Sequence, residues 1–329
     1  MSSFDLYGLG AALLDTEMQV SDADLQQLNV EKGVMTLVDE QRQSDLLDAF
    51  SAHLQGAVLA SGGSAANSII AASYFGSRCF MSCRVADDEH GAIYLNDLRN
   101  AGVAYKSDNG SAAGTTGKCL VMITPDAERS MNTFLGISET FSEADLDLEA
   151  LSASRCIYIE GYLVTSATGR PAAIRARQEA QAAGVQVSMS LSDPAIVEFF
   201  GDGLKEIIGA EPIDILFSNA AEALAFTGES DLEAACDALK RYSRRFIVTL
   251  GAEGALGFDG KTLHRVSGSA CTPKDSNGAG DMFAGAFLHA YLKGRPFAEA
   301  IAFANRAAAE VVSQFGPRLR PEQHAQLVR

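Results

Sequence analysis

The sequence predicts an α/β fold, a mostly parallel central sheet with helices on its faces and a small β-sheet lid at its mouth. Two observations carry this. Short apolar β-type runs alternate with longer helical stretches through the second half of the chain, the pattern of repeated β-α crossovers. Two segments, about 13–58 and 103–140, break that rhythm as excursions from one body. At 329 residues and 47% hydrophobic, the chain is long and apolar enough to bury a large core without disulfide or metal staples, so one domain spanning 1–329 is expected.

The elements follow in order. Lys118 to Thr124 reads as a strand among polar turn residues, inside the second excursion. Cys156-Ile157-Tyr158-Ile159 reads as a strand, Arg170 to Ala183 as a helix ending at Gly184, and Val185 to Met189 as the next strand. Asp193-Pro194 opens a helix to about Ile208, with Asp as N-cap and Pro at the first helical position. Ile213 to Phe217 and Phe246 to Leu250 are further strands. Ala279 to Lys293 is strongly helical and stops at Gly294, and the Ala-rich stretch from Phe297 to Gln314 is closed by Gly316-Pro317. The excursions at 13–58 and 103–140 are expected to pair in space as a lid over a ligand, with surface decoration as the plainer alternative.

Charge narrows the function. Asp plus Glu number 42 against 26 Lys plus Arg, a net charge of −16 that repels nucleic acid and anionic membranes. No run approaches the ~20 apolar residues of a membrane helix, and the start lacks the basic residues of a secretion signal, so a cytoplasmic protein is expected. The six cysteines form no C-x-x-C pair and read as buried reduced thiols. Any phosphate ligand must be held by a local positive field of amides, helix N-termini and a few basic side chains.

Asp275-Ser276-Asn277-Gly278-Ala279-Gly280-Asp281, directly followed by an apolar helix, supplies such a field. The glycines let the backbone aim successive N–H groups at one point, and the helix N-terminus adds its partial positive charge. Asp281 sits beside that point, where helix-dipole stabilisation is expected to keep it ionised. Read without the full string, these residues form a turn and a helix cap. Ser61-Gly62-Gly63-Ser64-Ala65-Ala66-Asn67 adds a Gly-Gly turn with Asn four residues on, suited to a ligand hydroxyl. Asn219-Ala220-Ala221-Glu222 reads as either a helix N-cap or a polar ligand site.

The two strings together resemble the signatures of the ribokinase-type (PfkB) family of sugar and nucleoside kinases. The resemblance runs nearly end to end and is nearest to adenosine-kinase-like members. It implies a ribokinase-like three-layer α/β/α fold, with Asp281 as catalytic base and Gly278, Ala279 and Gly280 as anion hole. On the acceptor side it implies Asp15, Gly62, Gly63 and Asn67, with Arg129 reaching the phosphates and Glu160 bordering the pocket. Gly8 to Asp15 looks like the family's first strand, ending in the aspartate that binds ribose hydroxyls. For ATP it implies Asn219, Glu222, Thr249, Gly251, Gly254, Lys274 and Asn305, with Glu222 meeting Mg²⁺ through water. Asp275 and Ser276 would border a monovalent cation such as K⁺.

The activity so implied is transfer of the γ-phosphate of MgATP to a primary hydroxyl of an adenosine-like nucleoside. Kinases of free sugars or sugar acids, of the ribokinase, fructokinase or 2-keto-3-deoxygluconate kinase type, are the alternative. Two departures keep it open: Ala11 stands where adenosine kinases carry Asn, and Glu160 adds a charge where many relatives are neutral. The chain is expected to act as a monomer or homodimer.

Overall fold

The computed structural model describes residues 3–51 and 58–328, so the part of the first excursion at 52–57 lies outside the described residues. The chain runs β1 (Phe4–Leu9), β2 (Leu13–Gln19), α1 (Asp22–Gln27), β3 (Met35–Leu37), α2 (Glu40–Ala49), β4 (Val58–Gly62), α3 (Ser64–Tyr74), β5 (Cys79–Ser82), α4 (Glu89–Asn100) and β6 (Val103–Tyr105). It continues through β7 (Gly117–Ile123), β8 (Arg129–Phe134), α5 (Leu148–Ser152), β9 (Ser154–Glu160), α6 (Gly169–Ala182), β10 (Gln186–Ser190), α7 (Pro194–Ile208), β11 (Ile215–Asn219) and α8 (Ala220–Thr227). The last elements are α9 (Leu232–Leu239), β12 (Phe246–Thr249), β13 (Ala255–Phe258), β14 (Leu263–Val266), α10 (Ala279–Leu292), α11 (Phe297–Val312) and α12 (Pro321–Val328).

Nine strands form the main sheet in the order β14-β13-β12-β11-β10-β9-β1-β5-β6, parallel except for the β12-β13-β14 meander. Strand residues alternate between two cores. Leu6, Tyr158, Ile215 and Phe217 face α3, α10 and α11, whereas Tyr7, Ile157, Ile159 and Leu216 face the helices α6 to α9. Burial on both faces is why these strands read as continuous apolar runs and not as alternating ones. The result is the expected three-layer α/β/α arrangement of a ribokinase-like fold.

A second sheet of five strands runs β3-β8-β7-β2-β4. Its outer face carries Met18, Leu120 and Met122 under α1 and α2, through Leu25, Leu46 and Phe50. The inner face carries Cys119, Val121 and Ile123. Two readings of the sequence are corrected here. Gly8 to Asp15 is not one strand: β1 ends at Leu9, and Asp15 is the third residue of β2 in the other sheet. The physical reason is that Gly10 makes the last backbone bond to the main sheet, to Ser82, after which the chain turns away. The second excursion does not leave at 103, because Val103–Tyr105 first adds an edge strand to the main sheet.

Asp193 caps α7 by accepting from the Ala195 amide, as the Asp-Pro pair predicts. No helix among the described residues is long and apolar enough to cross a membrane. Five cysteines are buried and Cys271 is exposed. Phe287 on α10 has no exposed surface and packs edge-on against Phe217 and Phe297. Phe287→Ala is expected to cost about 3–5 kcal/mol of stability, read as a lower urea midpoint at unchanged slope.

Candidate active site

The topology itself marks a place for a ligand. Strand order reverses at β1, which lies between β9 and β5, and a crevice opens beyond the carboxyl ends of strands at such a point. A cavity of about 390 Å³ lies there, between the main sheet and the inner face of the second. Asp15, Gly63, Asn67, Arg129 and Glu160 line it, together with Asn219, Glu222, Thr249 and residues 276–281.

Asp281 stands in the first turn of α10. Gly278 adopts φ +72°, a left-handed cap that a Cβ would strain, and it starts the helix at the cavity wall, which Gly278, Ala279 and Gly280 line. The Ala279 amide also reaches the Ser276 carbonyl at 3.3 Å. The Asp281 carboxylate is held from α3: Ser64 Oγ donates to Oδ1 at 2.6 Å and Asn67 Nδ2 to Oδ2 at 3.0 Å. Burial pushes this carboxyl above its ordinary value, against the lowering effect of those two bonds and of Arg129. Desolvation thus outweighs the stabilising contacts and makes the group a stronger base.

Glu160 ends β9 and is buried. Its Oε2 accepts from the Ala65 amide at 2.8 Å and its Oε1 from Ala11 at 3.3 Å. α3 has no side-chain cap of its own, so a carboxylate from a distant strand satisfies its first turn and pins the residues after β1. Burial raises Glu160 to about 7, with nearby Asp281 adding to the effect. Asp15 is pushed well above the carboxylate range, by burial first and by Glu17 next. Gly62 does not line the cavity. It lies under Asp15, whose carboxylate occupies the space a Cβ would need.

Arg129 begins β8, makes no ion pair among the described residues, and lowers the affinity of Asp281, Asp193, Glu222 and Asp275 for protons. Asn219 and Glu222 form a capping box on α8: Glu222 Oε2 accepts from the Asn219 amide at 2.9 Å, and Asn219 Oδ1 from the Glu222 amide at 2.8 Å. Both still face the cavity, and burial raises Glu222 to about 7.

Several expected contacts are placed elsewhere. Asp275 is fully buried, its Oδ1 taken by the Asn277 amide at 2.8 Å and its Oδ2 by that of Gly316 at 2.9 Å. It staples its own loop, and of the pair expected to border a cation only Ser276 lines the cavity. Asn305 donates to the Ser267 carbonyl at 3.0 Å, tying α11 to the segment after β14. Gly251 and Gly254 shape the turn after β12, and Lys274 is exposed, all outside the cavity wall. Sequence reasoning missed Ser64, Asn277 and Glu17. The signal for Glu17 was its place two residues after Asp15, the same face of a strand.

A compact phosphotransferase site on a ribokinase-like body is what this fold and geometry define. The model of the pfkB family carbohydrate kinases matches residues 35–324, and the chain belongs to that family. The crystal structure of adenosine kinase from Sinorhizobium meliloti superposes with a TM-score of 0.91 at 32% identity, covering 99% of both chains. An adenosine kinase of Schizophyllum commune is 27% identical over 97% of this chain and 98% of that protein. A ribokinase of Haemophilus influenzae is 28% identical over 78% of this chain and 83% of its own length. The chain is thus a kinase.

The raised carboxyls give stability a pH dependence of definite sign. Glu160 titrates near 7 when folded, against an ordinary value of 4.5. Folding therefore takes up protons between these values, and this contribution to stability is lost as pH rises through that window. Glu160→Gln is expected to flatten the fall in melting temperature from pH 5 to pH 8. An unchanged pH slope in the variant would count against this assignment.

Proposed function

We propose that the protein transfers the γ-phosphate of MgATP to the primary hydroxyl of an adenosine-like nucleoside, with Asp281 as general base. One observation carries this reading: Asp281 and Gly278 to Gly280, at the N-terminus of α10, share a cavity with Asp15 and Asn67. Asp15 and Asn67 would hold the acceptor's vicinal hydroxyls. Asn67 Oδ1 is buried without a protein partner, which suits an acceptor for such a hydroxyl. Asp281 takes the proton of the primary hydroxyl as its oxygen bonds to the γ-phosphorus. The bond from that phosphorus to the β–γ bridging oxygen breaks, and ADP leaves. The three amides and Arg129 stabilise charge on the transferred group.

No cluster of three metal-ligating side chains exists among the described residues. Glu222 faces the cavity with a carboxylate already committed to its capping box. This fits Mg²⁺ that arrives on the nucleotide and meets Glu222 through water. When bound, the ion would neutralise phosphate charge. The second sheet, which brings Asp15 and Arg129, would serve as the lid.

The walls support a nucleoside as the acceptor. Leu13, Met35, Leu37, Met131, Leu135 and Tyr162 line the same cavity and suit a flat base better than a free sugar, whose hydroxyls they would leave unpaired. The adenosine kinase relatives support this choice. A sugar kinase is the second reading, supported by the ribokinase similarity and by Ala11, whose methyl offers no hydrogen bond.

ADP release from MgATP with adenosine, other nucleosides, ribose, fructose and a sugar acid decides between them. Adenosine is expected to give the highest kcat/KM, and a free sugar exceeding it would reverse the choice. Asp281→Asn is expected to lower kcat by about 10³-fold or more while ATP affinity stays within about threefold. Near wild-type turnover in that variant would remove Asp281 from its role.

A further inference from the structure

We propose that Glu17 is a positioning residue for phosphoryl transfer: acting through Asn277, it fixes the amide cup to the strand that carries Asp15. In β2 the run Leu13-Leu14-Asp15-Thr16-Glu17 alternates, so Asp15 and Glu17 point to the same face, toward the body. Glu17 is only 5% exposed, and its Oε1 accepts from Asn277 Nδ2 at 2.5 Å. Asn277 is the residue before Gly278. The loop is thus gripped twice, from within by the Asp275 carboxylate on the Asn277 amide and from the second sheet by Glu17 on the Asn277 side chain.

Stability gives no reason to keep a carboxylate here. Glu17 Oε2 is buried with no hydrogen-bond partner. The groups that face Glu17 are Asp15 on its own sheet, Asp275 and Asn277 on the loop, and Arg318 on the segment after α11. Arg318 is the sole cation among them, and it is already engaged with Asp97 at 2.7 Å and Ser61 at 3.0 Å. A neutral side chain of the same volume would avoid the cost of burying an acid beside two other acids. A buried, half-satisfied acid is instead the kind of local cost found where geometry must be held for chemistry. A shift of about 1 Å in the amides would misalign the γ-phosphate and cost on the order of 10²-fold in rate. One side chain in this way joins acceptor binding at Asp15 to the phosphate cup.

The proposal rests on phosphoryl transfer at this cup and not on which acceptor is used. The test measures kcat, acceptor KM and melting temperature for Glu17→Met, Glu17→Gln, Asn277→Ala and the Glu17→Met/Asn277→Ala double variant, using the best acceptor of the wild type. Glu17→Met, which removes the hydrogen-bond acceptor, is expected to lower kcat about 10- to 100-fold, with acceptor KM within about threefold and an equal or higher melting temperature. Glu17→Gln keeps an acceptor for Asn277 and restores kcat to within about threefold of wild type. Asn277→Ala loses as much as Glu17→Met, and the double variant loses no more than either single. Wild-type kcat in Glu17→Met, or independent losses that multiply in the double variant, overturns the proposal. So does a lowered melting temperature in Glu17→Met together with no rescue by Gln, the pattern of a purely structural role. If Glu17→Met does not fold, Glu17→Gln and Asn277→Ala decide: equal activity in the two overturns it. A wild type inactive toward every acceptor removes the proposed function as well, whereas an active wild type with an equally active Glu17→Met removes this inference alone.

Discussion

Two helices touch backbone to backbone, and the site is built on that contact. At Gly285 of α10 a Cβ would collide with the carbonyl of Ser68 on α3, and Ala71 leaves no room for more. Glycine there lets the helix axes approach until their N-terminal turns lie side by side. Only then do Ser64 and Asn67 reach the carboxylate of Asp281. That carboxylate is held between two positive helix ends, yet desolvation still raises its affinity for a proton.

The same crowding explains the unusual charge of the cavity. Asp15, Glu128, Glu160, Asp193, Glu222 and Asp281 all line it, against one arginine side chain, Arg129. An acidic wall of this kind repels a polyanion unless positive charge arrives with it or is focused at one spot. The N-terminus of α10 and Arg129 supply that positive field at the cavity wall. The acids come from several elements around the wall, from β2 to α10, and hydroxyls and water-bound cations are their natural partners.

Much of this was legible in the sequence, because continuous apolar runs and capped helices encode a doubly covered sheet directly. The Asp275 to Asp281 string also carried its own geometry, since Gly278 needs its left-handed turn wherever it lies. What failed to show were contacts between residues far apart in the chain. Glu160 as the cap of α3 depends on β9 ending beneath that helix, which no local pattern reveals. Asp275 looked like a ligand-facing acid until Gly316, from beyond α11, filled its second oxygen. Asp15 reads as the end of the first strand and lies in the second, because the three small residues Gly10, Ala11 and Ala12 continue an apolar run across a change of sheet.

The distribution of sulfur in the fold has a practical side. Burial holds the thiols of Cys79, Cys83, Cys119, Cys156 and Cys236 protonated and out of reach. Cys271 alone meets solvent, ten residues before Asp281 and on the segment leading into the amide cup. A maleimide dye would therefore attach at a single address in the unaltered polypeptide, and its fluorescence would report on the stretch of backbone that leads into the Gly278 turn.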